Sequence, residues 1–138
     1  MLGVVLSPDD LARMPLFAQL TSESRSTLAG RLTVEEFTPG QQMVAQGESG
    51  FSVFVIADGR AVATQHDKHL GYLGVGDYFG ETAVLTGDGL RTATVTAVTP
   101  VVAWVMFGAT FTALQHSEPQ VATELQRVMN ERLGDRSW

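Results

Sequence analysis

The placement of glycine constrains this chain more than any other feature of its sequence. Ten of the fourteen glycines lie in one stretch, at Gly40, Gly47, Gly50, Gly59, Gly71, Gly74, Gly76, Gly80, Gly87 and Gly89. Residues 1–29 and 109–138 hold only Gly3 and Gly134. Glycine disfavours helix and marks turns, so a segment punctuated this often folds as short strands between tight turns. The two ends are free to be helical. The chain has 138 residues and no visible repeat or linker, which suits a single domain over residues 1–138.

The middle reads strand by strand. Phe51 to Ala57 is apolar and β-branched apart from Ser52, and Asp58-Gly59 after it is a hairpin-turn pair. Ala61 to Thr64 is the expected return strand, Asp67-Lys68 a further turn, and Leu70 to Val75 the next strand. Thr92 to Val98 alternates, with Ala93, Val95 and Ala97 on one face and Thr92, Thr94 and Thr96 on the other. That period of two marks a half-buried strand. Thr99-Pro100 interrupts it, and Val101 to Phe107 resumes as a buried strand. Short strands spaced about ten residues apart indicate a sandwich, jelly roll or barrel.

The ends carry helical signals. Ser22 to Arg31 has Ser22 as an N-cap and turns Leu28 and Leu32 inward. Ser117 caps a second helix with Pro119 in its first turn and an apolar stripe of Val121, Leu125, Val128, Met129 and Leu133. Gly134 is its stop. The expected division is a helical part over about 8–32, strands over about 33–107 and C-terminal helices over about 108–134.

Several function classes fall away. The absence of cysteine excludes disulfide scaffolds, thiolate metal sites and cysteine nucleophiles. A net charge of −6 argues against holding nucleic acid or an anionic membrane by charge. The longest strongly apolar run, Val101 to Phe107, is far short of the ~20 residues of a membrane helix. Met1 to Leu6 lacks the basic start of a signal peptide. A cytoplasmic location is the expectation.

The segment that carries chemistry is Gly76 to Val95. Gly80 permits close backbone approach, and the first amides of a short helix over Thr82 to Leu85 favour an anion. Glu81 is a carboxylate able to accept from hydroxyls. After the loop Thr86 to Gly89, Arg91 opens the alternating strand and can grip phosphate oxygens with its planar fork. Together these groups describe a pocket for a phosphorylated sugar.

This segment resembles the phosphate-binding cassette of the cyclic nucleotide-binding domain family. The family pattern reads here as Phe79-Gly80-Glu81-Thr82-Ala83-Val84-Leu85 followed by Arg91-Thr92-Ala93. Phe37-Thr38-Pro39-Gly40, Ala45-Gln46-Gly47-Glu48, Val53-Phe54-Val55-Ile56 and Asp58-Gly59 stand where the family has further landmarks. Pro15-Leu16-Phe17 is similar to its N-terminal helical motif, so the resemblance covers about residues 9–134.

The resemblance implies a mainly β fold, an eight-stranded β jelly-roll barrel with N- and C-terminal α-helices. It implies that Arg91 binds the exocyclic phosphate oxygens and that Glu81 accepts from the ribose 2′-hydroxyl. The Gly80 backbone meets the ribose, while the Ala83 and Thr92 amides and the Thr92 hydroxyl face phosphate or base. Phe79, Thr82 and Ala93 complete the implied ligand-binding set. The implied ligand is cyclic AMP, with cyclic GMP as the alternative, and no cofactor or metal is called for. Binding tightens the cassette and moves the C-terminal helix, which passes the signal to an effector domain or a homodimer partner.

The pattern departs from the family in three places. Thr82 stands where an aliphatic residue is usual, Leu90 where proline is frequent, and Asp88 adds a negative charge to the loop. No segment is available for a helix-turn-helix or a kinase, so the domain is expected to be non-enzymatic, either free-standing or part of a longer protein.

Competing readings are simpler. Arg91 and Glu81 could form a surface pair worth only about 0–1 kcal/mol, leaving a jelly-roll interaction module with a vestigial pocket. His66, His69 and Glu81 could be ligands of a metal-dependent jelly-roll enzyme, but such a site needs three or more converging ligands, and hairpin histidines are usually solvated. Gly74, Gly76 and Gly80 lack the βαβ setting of a dinucleotide fingerprint. Asp9-Asp10 and Glu35-Glu36 are adjacent residues whose side chains diverge. His116 suits a helix end. Trp138 is either a tail or an aromatic lid over a purine.

Overall fold

The computed structural model describes residues 6–133. Three short helices open the chain, α1 (Pro8–Ala12), α2 (Pro15–Ala18) and α3 (Ser22–Ala29). The strands follow as β1 (Thr33–Phe37), β2 (Gln42–Val44), β3 (Ser52–Asp58), β4 (Ala61–Gln65), β5 (Lys68–Leu73) and β6 (Tyr78–Phe79). A short helix α4 (Glu81–Thr86) precedes β7 (Thr94–Ala97) and β8 (Val101–Phe107). Helices α5 (Gly108–Ser117) and α6 (Pro119–Leu133) close the described chain.

The strands form two antiparallel four-stranded sheets, ordered β1-β8-β3-β6 and β2-β7-β4-β5. The mainly β fold with flanking helices is therefore as expected. Among the described residues no ladder joins the two sheets into the closed barrel that the resemblance implied.

The two kinds of strand pattern have a clear physical cause. Phe54, Ile56, Val101, Ala103 and Val105 of β3 and β8 meet Ala61, Ala63, Val95 and Ala97 of the other sheet in a core between the sheets. The alternate residues Val53, Val55, Trp104 and Met106 point the other way, into a second cluster with Leu11, Phe17, Leu28, Phe111, Leu114 and Val121 of the helices. Strands β3 and β8 are buried on both faces and so read as continuous apolar runs. Strand β7 is covered on one face only and so alternates.

Several boundaries shift. Thr21 caps α3, its side chain accepting from the Ser24 amide, in place of Ser22. The β4–β5 turn falls on His66-Asp67, both at positive φ (50° and 64°). This tight two-residue turn lets β5 begin at Lys68, two residues earlier than Leu70. Ser117 ends α5 and donates to the Leu114 carbonyl, because the chain makes two helices separated by Glu118. Gly134 and Trp138 lie outside the described residues, as do the side chains of Leu125, Met129 and Leu133. No helix among the described residues is long and apolar enough to cross a membrane.

Candidate functional site

The alternation that buries Ala93, Val95 and Ala97 continues one step further back, to Arg91. The period of two therefore carries a guanidinium to the inward face, where Arg91 is only 7% exposed. Its backbone is not in the ladder. The Arg91 amide donates to the Glu48 carbonyl at 2.9 Å, and the Gly47 amide donates to the Arg91 carbonyl at 2.9 Å. The loop before β3 thus captures the residue, and β7 starts at Thr94, later than the Thr92 expected.

The Arg91 side chain is anchored at one nitrogen. Its Nη1 donates to the Ser52 carbonyl at 2.9 Å and to the Gly80 carbonyl at 3.3 Å. Its Nε and Nη2 donate to no acceptor among the described residues. Two glycines make room for it. A Cβ on Gly50 would lie 2.6 Å from Nη2 and 2.7 Å from Nε. At Gly80, where φ is +95°, a Cβ would strike the Ser52 carbonyl oxygen. Gly80 is required by its left-handed φ and by the backbone beside it, whereas a side chain at Gly50 would displace the guanidinium. The Phe54 ring lies 5.7 Å from the guanidinium carbon and stacks on Phe79 with centroids 4.9 Å apart.

Gly80 is also the N-cap of α4, and Glu81 is the first residue of that helix. Glu81 is 1% exposed. Burial pulls the Arg91 guanidinium below its ordinary range, and the attraction of Glu81 opposes that pull. Burying opposite charges near each other is costly unless their geometry is good and hydrogen bonds satisfy their remaining donors and acceptors. The loop between them is closed by backbone bonds from Gly89 N–H to the Ala83 carbonyl and from Gly50 N–H to the Gly89 carbonyl.

All eight residues expected from the sequence line one shallow cleft. Phe79, Gly80, Glu81, Thr82, Ala83, Arg91, Thr92 and Ala93 meet there with Val44 and Val95. Thr82 is buried, so the departure from an aliphatic residue is accommodated inside the wall. Sequence reading missed Val44, Gly50 and Ser52. The first two carried signals, a strand position and a glycine beside the Gln46-Gly47 landmark; Ser52 acts through its carbonyl, which no side-chain pattern reports.

The remaining candidates lie elsewhere. His66 pairs with Gln46, and His69 packs edge-on against Tyr72. Among the described residues no three His, Asp or Glu side chains are grouped to hold a metal. Asp10 caps α1 through Ser7, and His116 stands in the last turn of α5.

A buried arginine and a buried glutamate, held on glycines across a short helix and loop, are the geometry of the cassette. The sequence pattern of the family described as "Cyclic nucleotide-binding domain" matches residues 34–118, more than half of the chain. The chain belongs to the cyclic nucleotide-binding domain family.

Its relatives in this family include a protein kinase, a potassium channel and a kinase regulatory subunit. It is 37% identical over 92 residues to a cGMP-dependent protein kinase of Eimeria tenella, covering 67% of this chain and 9% of that protein. It is 33% identical over 124 residues to a cyclic nucleotide-gated potassium channel of Rhizobium etli, covering 90% of this chain and 34% of the channel. A cAMP-dependent protein kinase regulatory subunit of Eremothecium gossypii is 40% identical over 96 residues, covering 69% of this chain and 21% of the subunit. Among solved structures, the regulatory subunit of a cAMP-independent protein kinase A from Trypanosoma brucei superposes with a TM-score of 0.79 at 26% identity. That superposition covers 88% of this chain and 44% of the solved one. This cyclic nucleotide-binding domain thus spans about a third or less of these curated relatives.

Proposed function

We propose that this domain is a cytoplasmic sensor that binds one cyclic mononucleotide in the cleft between α4 and Arg91. The observation that carries the reading is the buried Arg91, held by Nη1 alone on the Ser52 and Gly80 carbonyls. An arginine fixed at one nitrogen keeps its other donors for a phosphate. In this reading Arg91 binds the exocyclic phosphate oxygens and Glu81 accepts from the ribose 2′-hydroxyl. Gly80 lets the ribose approach the backbone, and the Ala83 and Thr92 amides with the Thr92 hydroxyl face phosphate or base. Phe79, Thr82 and Ala93 form the wall. The groups bind and orient; the reading gives the domain no chemical step, cofactor or metal.

Transmission runs through the helices. Leu85 of α4 packs on the buried cluster that holds Val121 of α6, and Val128 of α6 packs on the same cluster. A cassette that tightens around ligand therefore pulls on the same side chains that seat α6. The effector is a further domain of a longer protein or a second copy meeting α6. Cyclic AMP is the proposed ligand, supported by the 40% identity to a cAMP-dependent regulatory subunit. Cyclic GMP competes, supported by the cGMP-dependent relative.

Isothermal titration of ligand-free protein with cyclic AMP, cyclic GMP and AMP tests the reading. The expected outcome is saturable one-to-one binding of a cyclic nucleotide, with AMP much weaker. A micromolar Kd corresponds to about −8 kcal/mol and is readily measured. Folded protein that takes up none of the three is a module with a vestigial pocket.

A further inference from the structure

The Thr92 carbonyl lies just outside the ordered ladder. The β4–β7 register ends at Thr64 opposite Thr94, and β4 itself ends at Gln65. Arg91 is held by the Gly47–Glu48 loop. Thr94 is held by the ladder and by the Gln46 amide, which donates to its Oγ1 at 2.9 Å. Between them, the Thr92 carbonyl accepts from the Gln65 side chain, at 2.9 Å from Nε2. The amide of Gln65 thus adds one rung beyond the last backbone rung.

Gln65 is aimed by a fixed turn. His66 and Asp67 take left-handed φ angles next to it. Gln46 grips the same turn, its Oε1 accepting from the His66 amide at 2.9 Å and its Nε2 lying 3.2 Å from the His66 ring. The half-buried bond to Thr92 therefore comes from a hairpin end with little freedom to drift.

We infer that Gln65 is a positioning residue for ligand binding: by holding the Thr92 carbonyl it fixes the Thr92–Ala93 peptide, and with it the backbone angles that aim the Thr92 amide and hydroxyl at the cleft. This rests on the nucleotide-binding reading above and extends it to a residue outside the cleft wall. It also makes the β4–β5 hairpin a second element that feels the ligand, besides α6. A bond of this kind, once lost, weakens binding about three- to tenfold.

Two neutral substitutions test it. Gln65→Met keeps the length and removes the donor; Gln65→Asn keeps the donor and shortens the reach. Both are compared with the wild-type chain by thermal melting, by the carbonyl carbon NMR shift of Thr92 without ligand, and by the affinity and dissociation rate of cyclic AMP and cyclic GMP. The expected result is an upfield Thr92 carbonyl shift in both variants and a several-fold faster dissociation, with melting nearly unchanged. An unmoved Thr92 carbonyl, or unchanged affinity and dissociation for both nucleotides, overturns the inference. So does a fall in melting temperature with shifts spread through β4 and β5, which is a merely structural role. A wild-type chain that binds neither nucleotide defeats the nucleotide-binding reading, and the Gln65 role in binding with it. The Thr92 shift then still reports whether the tether exists.

Discussion

Two buried charges in this molecule are treated in opposite ways. Glu118, between α5 and α6, is 6% exposed. Its Oε1 accepts from the Ser24 hydroxyl at 2.7 Å and from the amide and hydroxyl of Thr21 at 3.4 and 3.3 Å. Its Oε2 accepts from the Gln120 side chain. The Ser24 bond, then that of Gln120, holds its carboxyl below the usual range. Arg91, equally buried, is bound by protein at one nitrogen. A charge whose bonding capacity the chain fills is structural, here tying the start of α3 to the start of α6. A charge the chain fills in part keeps donors unbonded, and the proposed phosphate role of Arg91 rests on that difference.

Removing the second charge should have the largest effect. Arg91→Ala is expected to cost about 2–5 kcal/mol of cyclic nucleotide affinity by calorimetry, since the phosphate loses its buried partner. Its circular dichroism should be unchanged. Retained affinity would remove Arg91 from the phosphate site.

The close packing that seats the arginine comes next. Gly80→Ala forces a side chain into φ +95° and onto the Ser52 carbonyl, with Nη1 of Arg91 2.8 Å from the new Cβ. A loss of about 2–4 kcal/mol in urea unfolding is expected. A neutral result would mean that the α4 start is softer than its geometry implies.

Arg91→Lys keeps the charge and loses the fork. It should weaken binding by about 1–2 kcal/mol, less than alanine does. Equal losses for the two variants would make shape, not charge, the main contribution.

The structural charge gives the smallest and most local effect. Glu118→Ala should lower Tm by a few degrees and speed amide exchange at Ser24, with the sheets unaffected. The pH dependence has a definite sign. Because the folded carboxyl lies below its ordinary value, its contribution is present above the ordinary glutamate pKa of about 4.3 and fades as pH falls through the lower folded value. Acid titration of Tm in the wild-type chain and in Glu118→Ala should converge below that range. Parallel curves would deny the carboxylate this role.

Much of this was legible in local sequence. The run Val101 to Phe107 announced β8 with its observed bounds, because a strand buried on both faces needs no polar position. The Thr92–Val98 alternation identified the inward face of β7, although its ladder starts two residues later. The eight expected residues of the cleft share one wall, since spacing across one helix and one loop already brings them together. The α5–α6 junction was not legible. Ser117 and Pro119 look like one helix start, and only the distant Thr21 and Ser24 explain why Glu118 sits between two helices.

The same division holds for the whole protein. Turn placement, strand faces and the glycine, glutamate and arginine of the cleft follow from residues near one another in the chain, where backbone sterics and side-chain period act directly. The bonds of Arg91 to Ser52, of Gln65 to Thr92 and of Glu118 to Ser24 span 39, 27 and 94 positions. They depend on carbonyls and hydroxyls that carry no pattern of their own. Such groups acquire a role only when the sheets and helices have packed, because a hydrogen bond is decided by ångström-scale placement that only the tertiary structure supplies.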